Sequence, residues 1–151
     1  MDNILDKKYV ACEIENGIYE NWENMGYFKP NNENAPYYSV ILPPPNVTGI
    51  LHIGHVLNVS VTDAIIRYKR MRGFNTLWIP GTDHAGIATQ NKVERMLLSM
   101  DSSKEKIGRE KFIEKTWEWK NKYGNIITKQ LRKIGGSLDW SREMFTMNEI
   151  S

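Results

Sequence analysis

Tyr37-Tyr38-Ser39-Val40-Ile41-Leu42-Pro43-Pro44-Pro45-Asn46-Val47-Thr48-Gly49-Ile50-Leu51-His52-Ile53-Gly54-His55 is the stretch that decides the fold. Its first six residues are aromatic and β-branched, which suits a short buried strand. Three consecutive prolines end that strand, because proline has no N–H to give to a sheet ladder. Beyond a glycine-punctuated loop, apolar residues recur at helical spacing from about residue 55 to residue 71, and Val56, Val59, Ile65, Tyr68 and Met71 form the expected buried face. Arg67, Lys69, Arg70 and Arg72 load the last turns, where cations suit the helix dipole, and Gly73 stops the helix.

The pattern then repeats. Thr76-Leu77-Trp78-Ile79 reads as a second strand closed by Pro80-Gly81, and Val93, Met96, Leu97 and Met100 mark a helix over about 88–100. Strand, helix, strand, helix in this order predicts an α/β chain with a parallel, doubly wound sheet. Upstream, Tyr9, Ile14, Ile18, Trp22 and Met25 predict one amphipathic helix over 9–25, with Gly26 as its left-handed cap. The polar stretch 29–36, with two prolines, reads as a linker. Downstream, Phe112, Ile113, Trp117, Tyr123, Ile127, Leu131 and Ile134 predict a long helix whose aromatic residues belong to the core, ending at Gly135-Gly136. Ser102 or Ser103 stands where a helix cap is expected. Residues 1–36 therefore read as a helical extension and linker, and 37–151 as the α/β unit.

With 151 residues, 40% hydrophobic and 25% charged, the chain is neither disordered, collagen-like nor disulfide-stapled. A net charge of +2 does not by itself argue for nucleic acid or membrane. Residues 34–62 carry no Asp, Glu, Lys or Arg, yet Pro43, Pro44, Pro45, Gly49 and Gly54 interrupt them, so no membrane span is expected. Residues 1–8 mix both signs of charge and do not read as a secretory signal. The single cysteine, Cys12, fits a reducing, cytoplasmic compartment. Charge is uneven along the chain: net −4 over 1–34 and net +6 over 104–133. A solvated helix face explains the basic segment more cheaply than steering of a polyanion.

All three histidines, His52, His55 and His84, follow strands, where open parallel sheets bind ligands. No metal site is expected, since the His pair lacks the glutamate of H-E-x-x-H and any third ligand at a metal spacing. A P-loop is excluded as well: His55 stands where its lysine belongs and Val56 where Ser or Thr belongs. No G-x-G-x-x-G is present. What remains is a set of phosphate-binding parts, namely glycines, a helix N-terminus with free amides, and two imidazoles on neighbouring turns. Imidazoles donating to a phosphoryl group that gains charge stabilise the transition state more than the ground state.

Residues 43–55 resemble the first ATP-binding motif of the class I aminoacyl-tRNA synthetases, and His52-Ile53-Gly54-His55 matches its His-Ile-Gly-His form letter for letter. Pro43-Pro44-Pro45-Asn46-Val47-Thr48-Gly49 and Gly81-Thr82-Asp83-His84-Ala85-Gly86-Ile87-Ala88-Thr89-Gln90 are similar to the valyl branch of that family in particular. So are Trp117-Glu118-Trp119-Lys120, Gln130-Leu131-Arg132, Ser137-Leu138-Asp139-Trp140-Ser141-Arg142-Glu143 and Phe145-Thr146-Met147. The resemblance implies the first half of a Rossmann-like catalytic domain that attaches valine to tRNA(Val) through valyl-adenylate, using ATP with Mg2+. It implies that His52 and His55 contact the ATP phosphates and the transition state, that Thr48 lies near the phosphates, and that Gly54 leaves room for adenine. It further implies that Pro43, Pro44 and Asn46 line the amino-acid pocket and that Asp83 pairs with the α-ammonium, a charge-assisted contact. A loop aspartate that merely turns the chain after Gly81 is the alternative for Asp83.

The family's second ATP motif, Lys-Met-Ser-Lys-Ser, is absent, as are its editing and anticodon-binding domains, so the resemblance implies the N-terminal piece of a longer enzyme. Two other readings stay open. One is a class I nucleotidyl transferase of another kind, such as a pantetheine-phosphate adenylyltransferase relative. The other is a catalytically inactive truncated product or tRNA-associated module relying on the basic segment 104–133.

Overall fold

A left-handed Gly17, with φ of 81°, divides the helix expected over 9–25 into α1 (Ala11–Ile14) and α2 (Ile18–Asn24) in the computed structural model, which describes residues 8–148. The mixed-charge segment 1–7 lies outside the described residues. Gly26, at φ 70°, closes the second piece as expected. The linker is pinned to the sheet: Asn75 Oδ1 accepts from the backbone N–H groups of Asn31 (3.0 Å) and Asn32 (3.3 Å).

Next come β1 (Tyr37–Ile41), α3 (Ile53–Met71) and β2 (Asn75–Ile79), a crossover unit whose strands pair in parallel from Tyr37 opposite Asn75 to Ile41 opposite Ile79. The expectation of a buried first strand is corrected. Tyr37 and Ile41 are exposed, and only Tyr38 and Val40 lean on the core, because β2 is the sole neighbour of β1 among the described residues. The expected face of α3 is corrected too: Val59 and Ile66 are buried, whereas Ile65, Tyr68 and Met71 are exposed. One residue is 100° of helix, so facing Ile66 inward turns Ile65 and its stripe out.

The chain continues through β3 (Gly81–Thr82), α4 (Ile87–Leu98), α5 (Lys104–Lys133) and β4 (Met144–Phe145), with β4 parallel to β3. Two-residue strands carry no periodicity, which is why β3 and β4 leave no mark in the sequence. Ser103 caps α5, its Oγ accepting from Lys106 N at 3.3 Å, and Gly108 interrupts the first turns at φ 79°, ψ 167°, a conformation open to glycine alone. Ile127 and Leu131 are buried as expected, but Ile113 and Trp117 are exposed and face a cleft instead of the core. The core itself joins Val47, Ile66, Trp78, Ile127, Leu131, Leu138 and Trp140, and full burial of each such large side chain contributes about 1.5–3 kcal/mol.

The charge asymmetry of the sequence is partly settled by pairing. Arg132 on α5 grips the Glu23 carboxylate on α2 through Nε (3.0 Å) and a terminal nitrogen (3.1 Å), and Lys133 lies 3.5 Å from Glu15. Beside them, the Tyr19 hydroxyl donates to Gly136 O (2.6 Å) and accepts from the Trp140 indole (2.6 Å). Burial, above all, pushes this phenol up to about 12. In the middle of α3, Asp63 accepts from Arg67 Nε (2.6 Å) and from Ser137 N (2.9 Å), tying that helix to the turn after α5.

Two side chains of α5 reach the loop between β1 and α3. The Trp119 indole donates to Val47 O (2.9 Å), and Gln130 Oε1 accepts from Leu51 N–H (2.9 Å). Leu51 is buried, so losing that acceptor leaves an unsatisfied donor away from water. Gln130→Ala is expected to lower unfolding free energy by about 1–3 kcal/mol in urea titrations, while Gln130→Glu, which keeps an acceptor, recovers much of it. An unchanged midpoint in Gln130→Ala would detach Gln130 from the loop.

Candidate active site

Because β1 and β2 are parallel neighbours, the loops leaving their carboxyl ends start side by side. They then pair with each other. Leu42 N donates to Ile79 O (3.1 Å), Asp83 N to Pro45 O (2.9 Å) and Val47 N to Asp83 O (3.0 Å), so that Asn46 and Asp83 form a parallel bridge. Residues nearly forty positions apart thus become backbone neighbours.

His52 and His55 hold one another. His52 is the N-cap of α3; its Nδ1 accepts from Gly54 N (3.2 Å), while His55 Nδ1 accepts from His52 N (3.2 Å). This is a reciprocal capping box with imidazoles in both places. An Nδ1 that accepts carries no hydrogen, so both neutral rings bear theirs on Nε2. The ring centroids are 4.0 Å apart, which presents two N–H donors together at a helix N-terminus. Burial first, and the nearby His52 second, hold His55 below the ordinary histidine range, which favours its neutral, Nε2–H form. Gly54 is explained by the same cap: a Cβ there would lie 3.1 Å from His52 Cε1 and 3.2 Å from its Nδ1.

A cleft of about 610 Å³ opens over this cap. Pro43, Pro44, Asn46, Thr48, His52, Gly54 and His55 all line it. The structure therefore brings together seven of the eight residues singled out from the sequence. The eighth, Asp83, touches the cleft only through its backbone bridge to Asn46. Its carboxylate is engaged by neighbours outside that lining, accepting from the Thr146 hydroxyl at 2.8 Å and lying 3.2 Å from His84 Nδ1. The loop that carries it is strained, with Ala85 at φ 52° followed by Gly86 at φ 45°. His84 lines a second cleft of about 700 Å³, whose walls include Thr89, Trp117, Lys120 and Phe145.

Sequence reasoning missed four residues that shape the site. Lys92 of α4 lines the histidine cleft, and none of the ion pairs among the described residues engages it. Trp119 and Gln130 hold the loop from α5, and Thr146 holds Asp83. Trp119, Gln130 and Thr146 lie 72, 79 and 63 residues from the groups they bind, so no local spacing signals them. Among the described residues no group of three His, Cys, Asp or Glu is arranged to hold a metal ion, and no helix is long and apolar enough to cross a membrane.

The profile of the tRNA synthetases class I (I, L, M and V) matches residues 17–150. The valine–tRNA ligase of Fusobacterium nucleatum subsp. nucleatum is 63% identical over 148 residues, covering 97% of this chain and 17% of that protein. The valine–tRNA ligase of Neisseria meningitidis serogroup A is 55% identical over 144 residues, covering 95% of this chain and 15% of that protein. The fold is shared with the LeuRS of Agrobacterium radiobacter K84, solved in a ternary complex with tRNA and LeuAMS. That match has a TM-score of 0.68 at 20% identity and covers 86% of this chain and 15% of that one. This chain therefore spans about 15–17% of the length of the curated relatives it matches. By its strand–helix order, its histidine-capped helix and its sequence over residues 17–150, the chain belongs to the class I tRNA synthetases.

Proposed function

We propose that this chain supplies the ATP- and valine-binding part of an ATP-dependent valine–tRNA ligase, with residues 1–36 as an extension and 37–151 as the first half of its catalytic domain. The observation that carries the reading is the single cleft in which the His52–His55 cap meets Pro43, Pro44, Asn46 and Thr48. In this reading the valine carboxylate attacks the α-phosphate of ATP, the bond to the β-phosphate breaks, and valyl-adenylate and pyrophosphate form. The valyl group then passes to the terminal ribose of tRNA(Val). In this reading magnesium accompanies the ATP substrate. A cytoplasmic location is part of the same proposal and rests on the exposed, unpaired Cys12.

The two Nε2–H donors and the amides of the α3 N-terminus face the phosphates. Charge that builds on the phosphoryl oxygens in the transition state meets donors already oriented by the capping box. Thr48 and Lys92, which line the same cleft, add a hydroxyl and a cation. Pro43, Pro44 and Asn46 border the amino-acid side, and Asp83, tied to Asn46 by the backbone bridge, supplies from the neighbouring loop the carboxylate that pairs with the α-ammonium. Specificity for valine is supported by the identity to valine–tRNA ligases. The competing tRNA-module reading leans on the basic segment 104–133, yet Lys104, Lys115, Arg132 and Lys133 in that segment are each committed to an ion pair.

In the full reading frame that contains this chain, His52→Ala or His55→Ala is expected to slow valine-dependent pyrophosphate exchange while leaving valine binding nearly intact. Loss of one such donor removes about 2.7–4 kcal/mol of transition-state stabilisation, on the order of 10²–10³ in rate. An unchanged exchange rate would take that histidine out of the mechanism.

Asp83→Asn removes the charge and keeps the shape. It is expected to raise the valine KM and to leave the ATP KM where it was. If ATP affinity fell and valine affinity held, Asp83 would belong to the nucleotide instead.

A further inference from the structure

Thr146 has one hydroxyl proton and two lone pairs, and three groups converge on them. Its Oγ1 lies 2.8 Å from Asp83 Oδ1, 2.9 Å from the His84 backbone N and 2.7 Å from His84 Nδ1. A carboxylate only accepts and a backbone N–H only donates, so the hydroxyl proton goes to Asp83 and one lone pair takes the His84 N–H. The remaining lone pair faces His84 Nδ1, which must then carry a hydrogen. That same nitrogen stands 3.2 Å from Asp83 Oδ1, so a hydrogen on it sets a positive dipole end beside the carboxylate.

We infer that Thr146 is a positioning residue that aims the Asp83 carboxylate and fixes neutral His84 as its Nδ1–H tautomer. The pairing of β4 with β3 makes this possible, since Thr146 N donates to Thr82 O at 3.2 Å and sets the hydroxyl beside residue 83. Thr146 and His84 both act on Oδ1, and no hydrogen bond among the described residues engages Oδ2. Oδ2 is therefore the oxygen held ready for an ammonium. His84 in turn offers a bare Nε2 acceptor, opposite in polarity to the Nε2–H of His52 and His55. The functional side of this assignment rests on the reading of Asp83 as the partner of the valine ammonium; the tautomer does not.

Two measurements test it. The first is the ¹⁵N spectrum of the histidine rings in the full reading frame that contains this chain, at a pH where they are neutral, with the His84 signals identified by their loss in His84→Gln. The unaltered chain is expected to show a protonated Nδ1 and a bare Nε2 at His84, Thr146→Ser to keep that pattern and Thr146→Val to lose it. A bare Nδ1 in the unaltered chain would overturn the inference without any variant. The second is valine-dependent pyrophosphate exchange in the full reading frame. Thr146→Val is expected to raise the valine KM about tenfold, with the ATP KM unchanged and Thr146→Ser close to the unaltered enzyme. If Asp83→Asn raises the valine KM and Thr146→Val does not, Thr146 is only a structural residue and the function stands. If neither does, the ammonium role of Asp83 fails, and the ring spectra alone decide what Thr146 does to His84.

Discussion

The parallel pairing of β1 with β2 is the constraint on which the rest of the site depends. Parallel neighbours end at the same edge, so the loops that follow Ile41 and Ile79 are obliged to share space. Here they do more than share it: the backbone of Pro45 and Val47 continues the ladder against Asp83. A proline run suits this edge. Pro43, Pro44 and Pro45 give up N–H groups that would otherwise need partners, and the carbonyl of Pro45 still accepts.

The loop so placed needs a second restraint, and α5 provides it. Trp119 and Gln130 each satisfy one backbone group of the stretch 47–51, and buried backbone groups left unpaired would favour another conformation. Loop position and helix packing are therefore coupled through the same helix that buries Ile127 and Leu131. The carboxyl end of α5 is anchored in turn by Arg132 on Glu23 and by the Tyr19 hydroxyl on Gly136 O, which ties the N-terminal extension into the same unit.

Within this frame the three histidines divide into two chemical kinds. His52 and His55 spend Nδ1 as an acceptor in the helix cap and present Nε2–H. At His84 the hydroxyl of Thr146 sits against Nδ1. The hydrogen-bond partner of one ring nitrogen thus sets what the other offers to a ligand. Identical residues acquire different roles without any change of charge.

The alternation of strands and helices, and a glycine-bearing loop that puts two histidines at a helix start, were legible in the sequence, because each is written in contiguous residues; the reciprocal histidine cap itself appeared only in the structure. Seven of the residues that line the histidine cleft were marked in the sequence as well, since these lie within thirteen positions of one another, from Pro43 to His55. Which face of α3 is buried was beyond it, because two apolar stripes compete and only the neighbour decides between Ile65 and Ile66. The exposure of β1 was likewise decided by the absence of a second strand neighbour among the described residues, not by its composition. Trp119, Gln130 and Thr146 were legible only in three dimensions. Their partners are main-chain groups or a carboxylate more than sixty residues away, and the packing of α5 and β4 alone brings them within hydrogen-bond reach.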